Sequence, residues 1–202
     1  SSASACAQRG SIMFAEGLLV DLVPYGQKFL DQEHRWFNSE GIFWWATGGH
    51  WFVTRAGLER DRAEDENDPD KRLAFGLQTK DGTPIGLIGI NTQPHDHRTA
   101  LLTAFIGEPE YWGGGYGTDA LLLLIEYTFD WLDARKVWLM TMSLNERVVR
   151  QMEKVGFVFE ARRREATWAA GAWHDMLVYS LLREEWPGRA AMVERLGLTA
   201  RG

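Results

Sequence analysis

The sequence predicts an α+β domain: a central mixed sheet, mostly antiparallel with one parallel strand pair, and helices on both faces. Three patterns carry that prediction. Between Leu73 and Gly107 three β-patterned runs follow one another across short polar turns, as in an antiparallel meander. A strand, a glycine-rich turn, an amphipathic helix and an apolar strand then occur in that order between Leu101 and Met142, which makes the two strands parallel neighbours. Helical segments before and after this unit supply cover for the sheet.

In chain order, Leu18 to Val23 is strand-like and stops at Pro24. Gln27 to Phe37 places Phe29, Leu30, His34 and Phe37 at near-helical spacing, and Asn38 and Gly41 close that helix. An aromatic run follows, Phe43-Trp44-Trp45, with a Gly48-Gly49 break and then Trp51-Phe52. These aromatics either pack the neighbouring helices onto the sheet or line an acceptor pocket, with Trp44 and Trp45 as the candidate substrate contacts. A charged helical stretch runs from Arg55 to Asp70, closed around Pro69.

Leu73 to Thr79 turns at Lys80-Asp81-Gly82 into Pro84 to Asn91, and after the polar turn Gln93 to Arg98 comes the strand Thr99 to Gly107. Leu121, Leu124, Ile125, Thr128, Phe129 and Leu132 form the apolar stripe of the next helix, and Thr118 and Asp119 stand where a side chain can accept its first N–H groups. Val137 to Met142 is apolar throughout and reads as a strand buried on both faces. Asn145 to Val155 is a helix with Gly156 as its C′ glycine. Two long strands, Phe157 to Trp168 and Trp173 to Leu182, are joined through Ala169-Ala170-Gly171, and a helix is expected after Pro187. Residues 1–10 read as a flexible tail and 11–202 as a single domain.

With 202 residues, 45% hydrophobic and 25% charged, the composition is that of an ordinary globular protein. A formal net charge of -6 argues against nonspecific nucleic-acid binding and against anchoring on an anionic membrane, and suits a cationic partner. The one cysteine, Cys6, allows neither an internal disulfide nor a cysteine-based metal site. No stretch approaches the roughly 20 apolar residues of a membrane span, so a cytoplasmic location is expected. His95 and His97, in a turn with Asp96, read as solvated, and no metal is expected.

The glycine-rich turn is the chemical centre. In Glu108-Pro-Glu-Tyr-Trp-Gly-Gly-Gly-Tyr-Gly-Thr-Asp-Ala120 four of the five residues from Gly113 to Gly117 are Gly, leading into a helix start. Such a turn brings backbone N–H groups and the positive end of a helix dipole to one place, which favours a phosphate. The P-loop pattern fails because no Lys follows Gly117 before Thr118. The dinucleotide fingerprint fits the letters Gly115-x-Gly117-x-x-Ala120, but a meander precedes it and the next strand ends without an acidic residue for a ribose.

Tyr111-Trp-Gly-Gly-Gly-Tyr-Gly-Thr-Asp-Ala120 resembles the acyl-CoA turn of the GNAT acetyltransferases, in the form typical of the RimJ/RimL-type branch, with Trp112 at the family's Gln/Arg position. Asn145-Glu-Arg-Val-Val-Arg-Gln-Met-Glu-Lys-Val-Gly-Phe157 is similar to the family's Asn-led helix, and His174 to Trp186 and Arg35-Trp-Phe-Asn38 resemble that branch too. The resemblance spans roughly residues 15–187 and implies the GNAT fold and an N-acetyltransferase that moves acetyl from acetyl-CoA to a primary amine in a ternary complex. The amine is a protein N-terminus or a small molecule. The alternatives are a non-catalytic acyl-CoA sensor or a different donor such as succinyl-CoA, and a homodimer is compatible with the family.

The resemblance also implies site roles. Phe105, Ile106 and Gly107 would pair with the pantetheine arm, Trp112, Gly113, Gly114, Gly115, Tyr116, Gly117 and Thr118 would hold the pyrophosphate, and Asn145 would bond the pantetheine unless it is a plain N-cap. A neutral amine is required, and Glu108 is the candidate base. The family's usual tyrosine acid is replaced by Met152, which leaves Ser143 or Tyr179 as donor to the leaving thiolate. Asp175 would hold a cationic acceptor or orient a backbone turn.

Overall fold

A computed structural model describes residues 14–39, 52–66, 72–92 and 97–200. Trp44, Trp45 and His95 lie outside the described residues. Within those residues the strands are β1 (Ala15–Glu16), β2 (Val20–Pro24), β3 (Arg72–Thr79), β4 (Pro84–Thr92), β5 (Thr99–Ile106), β6 (Lys136–Met142), β7 (Val158–Ala169) and β8 (Ala172–Leu182). The helices are α1 (Gln27–Phe37), α2 (Arg55–Glu66), α3 (Tyr116–Asp130), α4 (Glu146–Val155) and α5 (Arg189–Leu196).

The strands form one sheet in the order β1-β2-β3-β4-β5-β6-β8-β7. Every neighbouring pair is antiparallel except β5 and β6, so the meander and the parallel pair both stand as the sequence predicts. Helices cover both faces. The larger core gathers Val20, Leu22, Leu77, Ile88 and Ile90 under α3. The smaller core, on the opposite face, joins Phe29 and Trp36 of α1 to Val23 and Leu87. Each fully buried Leu, Ile or Phe in these cores contributes roughly 1.5–3 kcal/mol.

Two local expectations are corrected. Helix α3 starts at Tyr116, earlier than its apolar stripe suggests, and its buried face is broader: Ala120 to Ile125 are all buried, because sheet and neighbouring elements enclose its first turns. Strand β6 is not buried on both faces. Val137 and Leu139 enter the larger core, whereas Lys136, Trp138 and Met140 are only half-buried, since α1 packs on β4 rather than on β6. Helix α2 is described over Arg55–Glu66, and residues 67–70 of the predicted stretch lie outside the described residues. At the far end of the sheet β7 is an edge strand exposed along nearly its whole length.

Candidate active site

The parallel pair opens a gap in the sheet. Strands β5 and β6 are in register only at Thr99–Lys136, Ala100–Val137 and Leu101–Trp138, and beyond that they diverge. Thr103 and Ala104 are therefore exposed in the middle of an eight-stranded sheet. The backbone of β5 is not uniformly available there. The Gly107 N–H donates to the Ile85 carbonyl at 2.8 Å, so by the alternation of an antiparallel ladder Gly107 and Phe105 spend their amides on β4, while Ala104 and Ile106 turn theirs to the gap. Treating Phe105, Ile106 and Gly107 as equivalent is corrected accordingly. Gly107 has another reason to be glycine: a Cβ there would run into the Trp36 ring.

The glycine turn lies directly past β5. Gly113 and Gly115 adopt φ of 78° and 92°, left-handed conformations that cost an L-residue about 1–2 kcal/mol, with Gly114 between them. Gly115 is the N-cap of α3 and, as a glycine, offers no side-chain cap of its own. The predicted capping by Thr118 and Asp119 is not found, because both side chains are engaged elsewhere. Thr118 Oγ1 accepts from Gln151 Nε2 of α4 at 3.0 Å. The Asp119 carboxylate, fully buried, accepts from the Leu19 N–H at 2.7 Å and the Val20 N–H at 3.3 Å and pairs with Arg189 at 3.1 Å. Neither of these two side chains covers the start of α3, whose positive dipole end favours an anion. Trp112 turns its indole N–H onto the Ile106 carbonyl at 2.9 Å, and the Tyr116 ring sits edge-on to Tyr111 at 5.0 Å.

Across the gap, Asn145 is buried, and its Oδ1 accepts from the Val148 N–H at 3.4 Å as N-cap of α4. Its Nδ2 has no hydrogen-bond partner among the described residues. Trp112, Leu144, Asn145, Glu146 and Arg147 line a groove of about 250 Å³ between the two loops that follow β5 and β6. Ser143 directly follows β6, donating its N–H to the Asp175 carbonyl at 2.9 Å, and its hydroxyl makes no hydrogen bond among the described residues. Met152, which stands where the resemblance expects a tyrosine, is 3% exposed and belongs to the core.

The candidate acids and bases are unequal. Glu108 follows β5 and uses Oε1 twice, accepting the Trp36 indole N–H at 2.9 Å and pairing with Arg35, so it fastens α1 to the end of β5; Oε2 has no partner among the described residues. Asp175 belongs to the β7–β8 hairpin. It accepts the Glu165 N–H at 2.8 Å and pairs with Arg162 at 3.0 Å, and those two donors, the Glu165 amide first, hold its carboxyl below the usual range. Glu165 itself has φ of 48° within a register shift of β7, so Asp175 steadies an irregular backbone there. Tyr179 lies opposite Leu139, three residues short of the end of β6. Its ring contacts Phe159, and burial pushes its phenol up, so it remains a proton donor. His97 is exposed, and no cluster of His, Cys, Asp and Glu suited to a metal occurs among the described residues.

Three contributors escape sequence reasoning. Arg35 and Trp36 stand in a block the resemblance singles out, but nothing in it says that they hold Glu108. Arg147 is hidden inside the Asn-led helix. Helix α5 lies beyond the resemblance altogether, yet it braces the site: Arg189 reaches Asp119, Arg195 donates to the Lys154 carbonyl of α4 at 2.6 Å, and a Cβ on Gly115 would approach Leu198 to 3.2 Å.

A split sheet, a left-handed glycine turn opening onto a glycine-capped helix and an asparagine-capped helix opposite define a domain built to receive an extended, phosphate-bearing ligand. The chain belongs to the GNAT acetyltransferase domain family, whose pattern its residues 22–158 match. YdaF of Bacillus subtilis, provisionally named a ribosomal N-acetyltransferase, is 32% identical over 108 residues, which is 54% of this chain and 58% of YdaF. The alignment thus spans less than two thirds of that relative. The spermidine N(1)-acetyltransferase of Escherichia coli is 24% identical over 169 residues, 83% of this chain and 88% of that protein. In fold, the chain is similar to Mycobacterium smegmatis RimJ in complex with CoA-disulfide, with a TM-score of 0.78 at 19% identity over 93% of this chain and 96% of RimJ.

Proposed function

We propose that the protein is an N-acetyltransferase that passes acetyl from acetyl-CoA to a primary amine by direct attack in a ternary complex. The observation that carries this is the coincidence of the β5–β6 gap with the glycine-capped start of α3 behind left-handed Gly113 and Gly115. A thioester donor supplies an activated acyl group with a thiolate leaving group. The chain's own groups then have separate tasks. The N–H groups of the glycine turn take the pyrophosphate. The edge of β5 at Ala104 and Ile106, with the Asn145 amide opposite, takes the pantetheine arm as an added strand would be taken.

Glu108 and Ser143 are assigned the proton transfers. Glu108 Oε2 accepts the proton that leaves the amine, directly or through one water, and the Ser143 hydroxyl donates toward the departing sulfur. The acceptor is a cationic amine, in keeping with the net charge of -6. Both a ribosomal acceptor and a polyamine are supported by the named relatives, YdaF on one side and the spermidine enzyme on the other, and a protein N-terminus is the form of the first that we propose.

Gly117→Val tests the cradle. A Cβ at Gly117 would meet only ordinary contacts, at 3.7 Å from Gln151 and Ile106, and no positive φ is involved. The variant should keep its thermal stability and lose CoA binding in a calorimetric titration. Unchanged affinity would contradict the cradle.

A further inference from the structure

We propose that Arg147 is a phosphate ligand for the acyl-CoA: its guanidinium, stacked on Trp112, leaves that ring to pair with a phosphate of the bound donor. This rests on the glycine turn being the donor's cradle. Arg147 is the second residue of α4, and its guanidinium carbon lies 4.4 Å from the centre of the Trp112 ring. Trp112 is the residue directly before Gly113, so the cation already sits at the mouth of the turn. It lines the same groove as Asn145 and Leu144.

The charge of Arg147 has no counterpart. Its carboxylate neighbour Glu146 pairs with Arg150 at 3.1 Å, and Arg147 makes no ion pair among the described residues. Burial alone pushes its guanidinium below the ordinary range, with no anion acting to restore it. The other arginines around the cradle are committed: Arg189 to Asp119 and Arg195 to the Lys154 carbonyl. From Trp112 to Thr118 the turn carries no basic side chain. Its backbone donors offer partial charges only, whereas CoA brings formal negative charge on a diphosphate and on a 3′-phosphate.

A planar guanidinium fork matches phosphate oxygens in pairs, and charge-assisted bonds of that kind outweigh a partly exposed cation–π contact. The exchange therefore favours the ligand once it is bound. With the donor absent, Trp112 serves as a resting place that keeps Arg147 over the groove instead of in bulk solvent.

The test measures dissociation constants of CoA, 3′-dephospho-CoA and pantetheine for the parent protein, Arg147→Gln and Arg147→Lys. Arg147→Gln should weaken CoA by about tenfold or more, Arg147→Lys should recover part of that, and pantetheine, which has no phosphate, should bind parent and variant alike. If the loss persists with 3′-dephospho-CoA, the partner is the diphosphate; if it vanishes, the partner is the 3′-phosphate. Equal CoA affinity in parent and Arg147→Gln would overturn the proposal, as would an equal loss with pantetheine, which would mean that Arg147 only shapes the loop. Gly117→Val separates the two claims: intact CoA binding in that variant sinks the cradle itself, whereas lost binding there with unaffected Arg147→Gln sinks this inference alone.

Discussion

The guanidinium of Arg189 meets the fully buried carboxylate of Asp119 at 3.1 Å, joining α5 to the helix that begins at the glycine turn. The same carboxylate takes the Leu19 and Val20 amides at the start of β2, so three parts of the chain converge one turn beyond the cradle. Removing one partner of a buried pair leaves the other uncompensated, at a cost of about 3–5 kcal/mol. Arg189→Met should therefore lower unfolding stability by the smaller end of that range, since Asp119 keeps two amide donors. It should also raise the Kd for CoA, because the start of α3 loses its brace. Urea titration and CoA titration check the two effects, and stability or affinity equal to the parent's would contradict the brace.

Glu108→Gln separates a base from an anchor. Glutamine can still accept the Trp36 indole N–H, so the docking of α1 should survive, whereas proton abstraction should not. General-base loss costs roughly 10²–10⁴ in rate. The expected result is a fall of about 100-fold in kcat/KM at neutral pH, shrinking as pH rises and more of the amine is neutral. A pH–rate profile that coincides with the parent's would leave Glu108 as the fastener of α1 only.

Asn145→Ala removes an N-cap whose loss costs about 1 kcal/mol. If Nδ2 also bonds the pantetheine arm, CoA affinity should fall several-fold in Asn145→Asp as well as in Asn145→Ala, since aspartate keeps the cap oxygen but lacks the donor. Should the Ala and Asp variants bind CoA as the parent does, the asparagine is a cap and nothing else.

Much of the fold was legible because its signals are local. The meander follows from β-patterned runs between short polar turns, and α4 follows from Asn145 at one end and Gly156, with φ of 103°, at the other. The glycine turn was legible for the same reason, since left-handed positions near a helix start restrict the residue type. What stayed hidden depends on distant pairing. Nothing in the sequence near Asp119 announces Arg189, 70 residues on, so a carboxylate in the first turns of a helix reads as a cap when it is in fact a buried clamp. Asp175 likewise reads either as a substrate contact or as the orienter of a backbone turn, and only its bond to the distant Glu165 amide shows the second role. Phe105 and Gly107 read as ligand contacts because only the register with β4 decides which amides face the gap.

The hairpin carries an acid limb. Donors from Glu165 and Arg162 depress the Asp175 carboxyl in the folded state, so its contribution is full above the unfolded value of about 4 and is lost as pH falls through the still lower folded value. Glu160, depressed by Lys136 and then Ser180, acts in the same direction. Amide exchange along β7 and β8 should therefore speed up below about pH 4, and Asp175→Asn should flatten that dependence. An identical acid limb in the variant would show that the carboxylate does not hold the bulge.

The central claim, acetyl transfer to an amine, is tested most directly by following free thiol and acetylated product together. Purified protein, acetyl-CoA and a panel of protein N-terminal peptides, polyamines and amino acids are the components, with mass spectrometry of the acceptor as the second readout. Thiol should appear only with a competent amine and in equal amount to the acetylated amine. Tight CoA binding with no amine-dependent thiol from any acceptor would contradict the account and leave a protein that holds acyl-CoA without spending it.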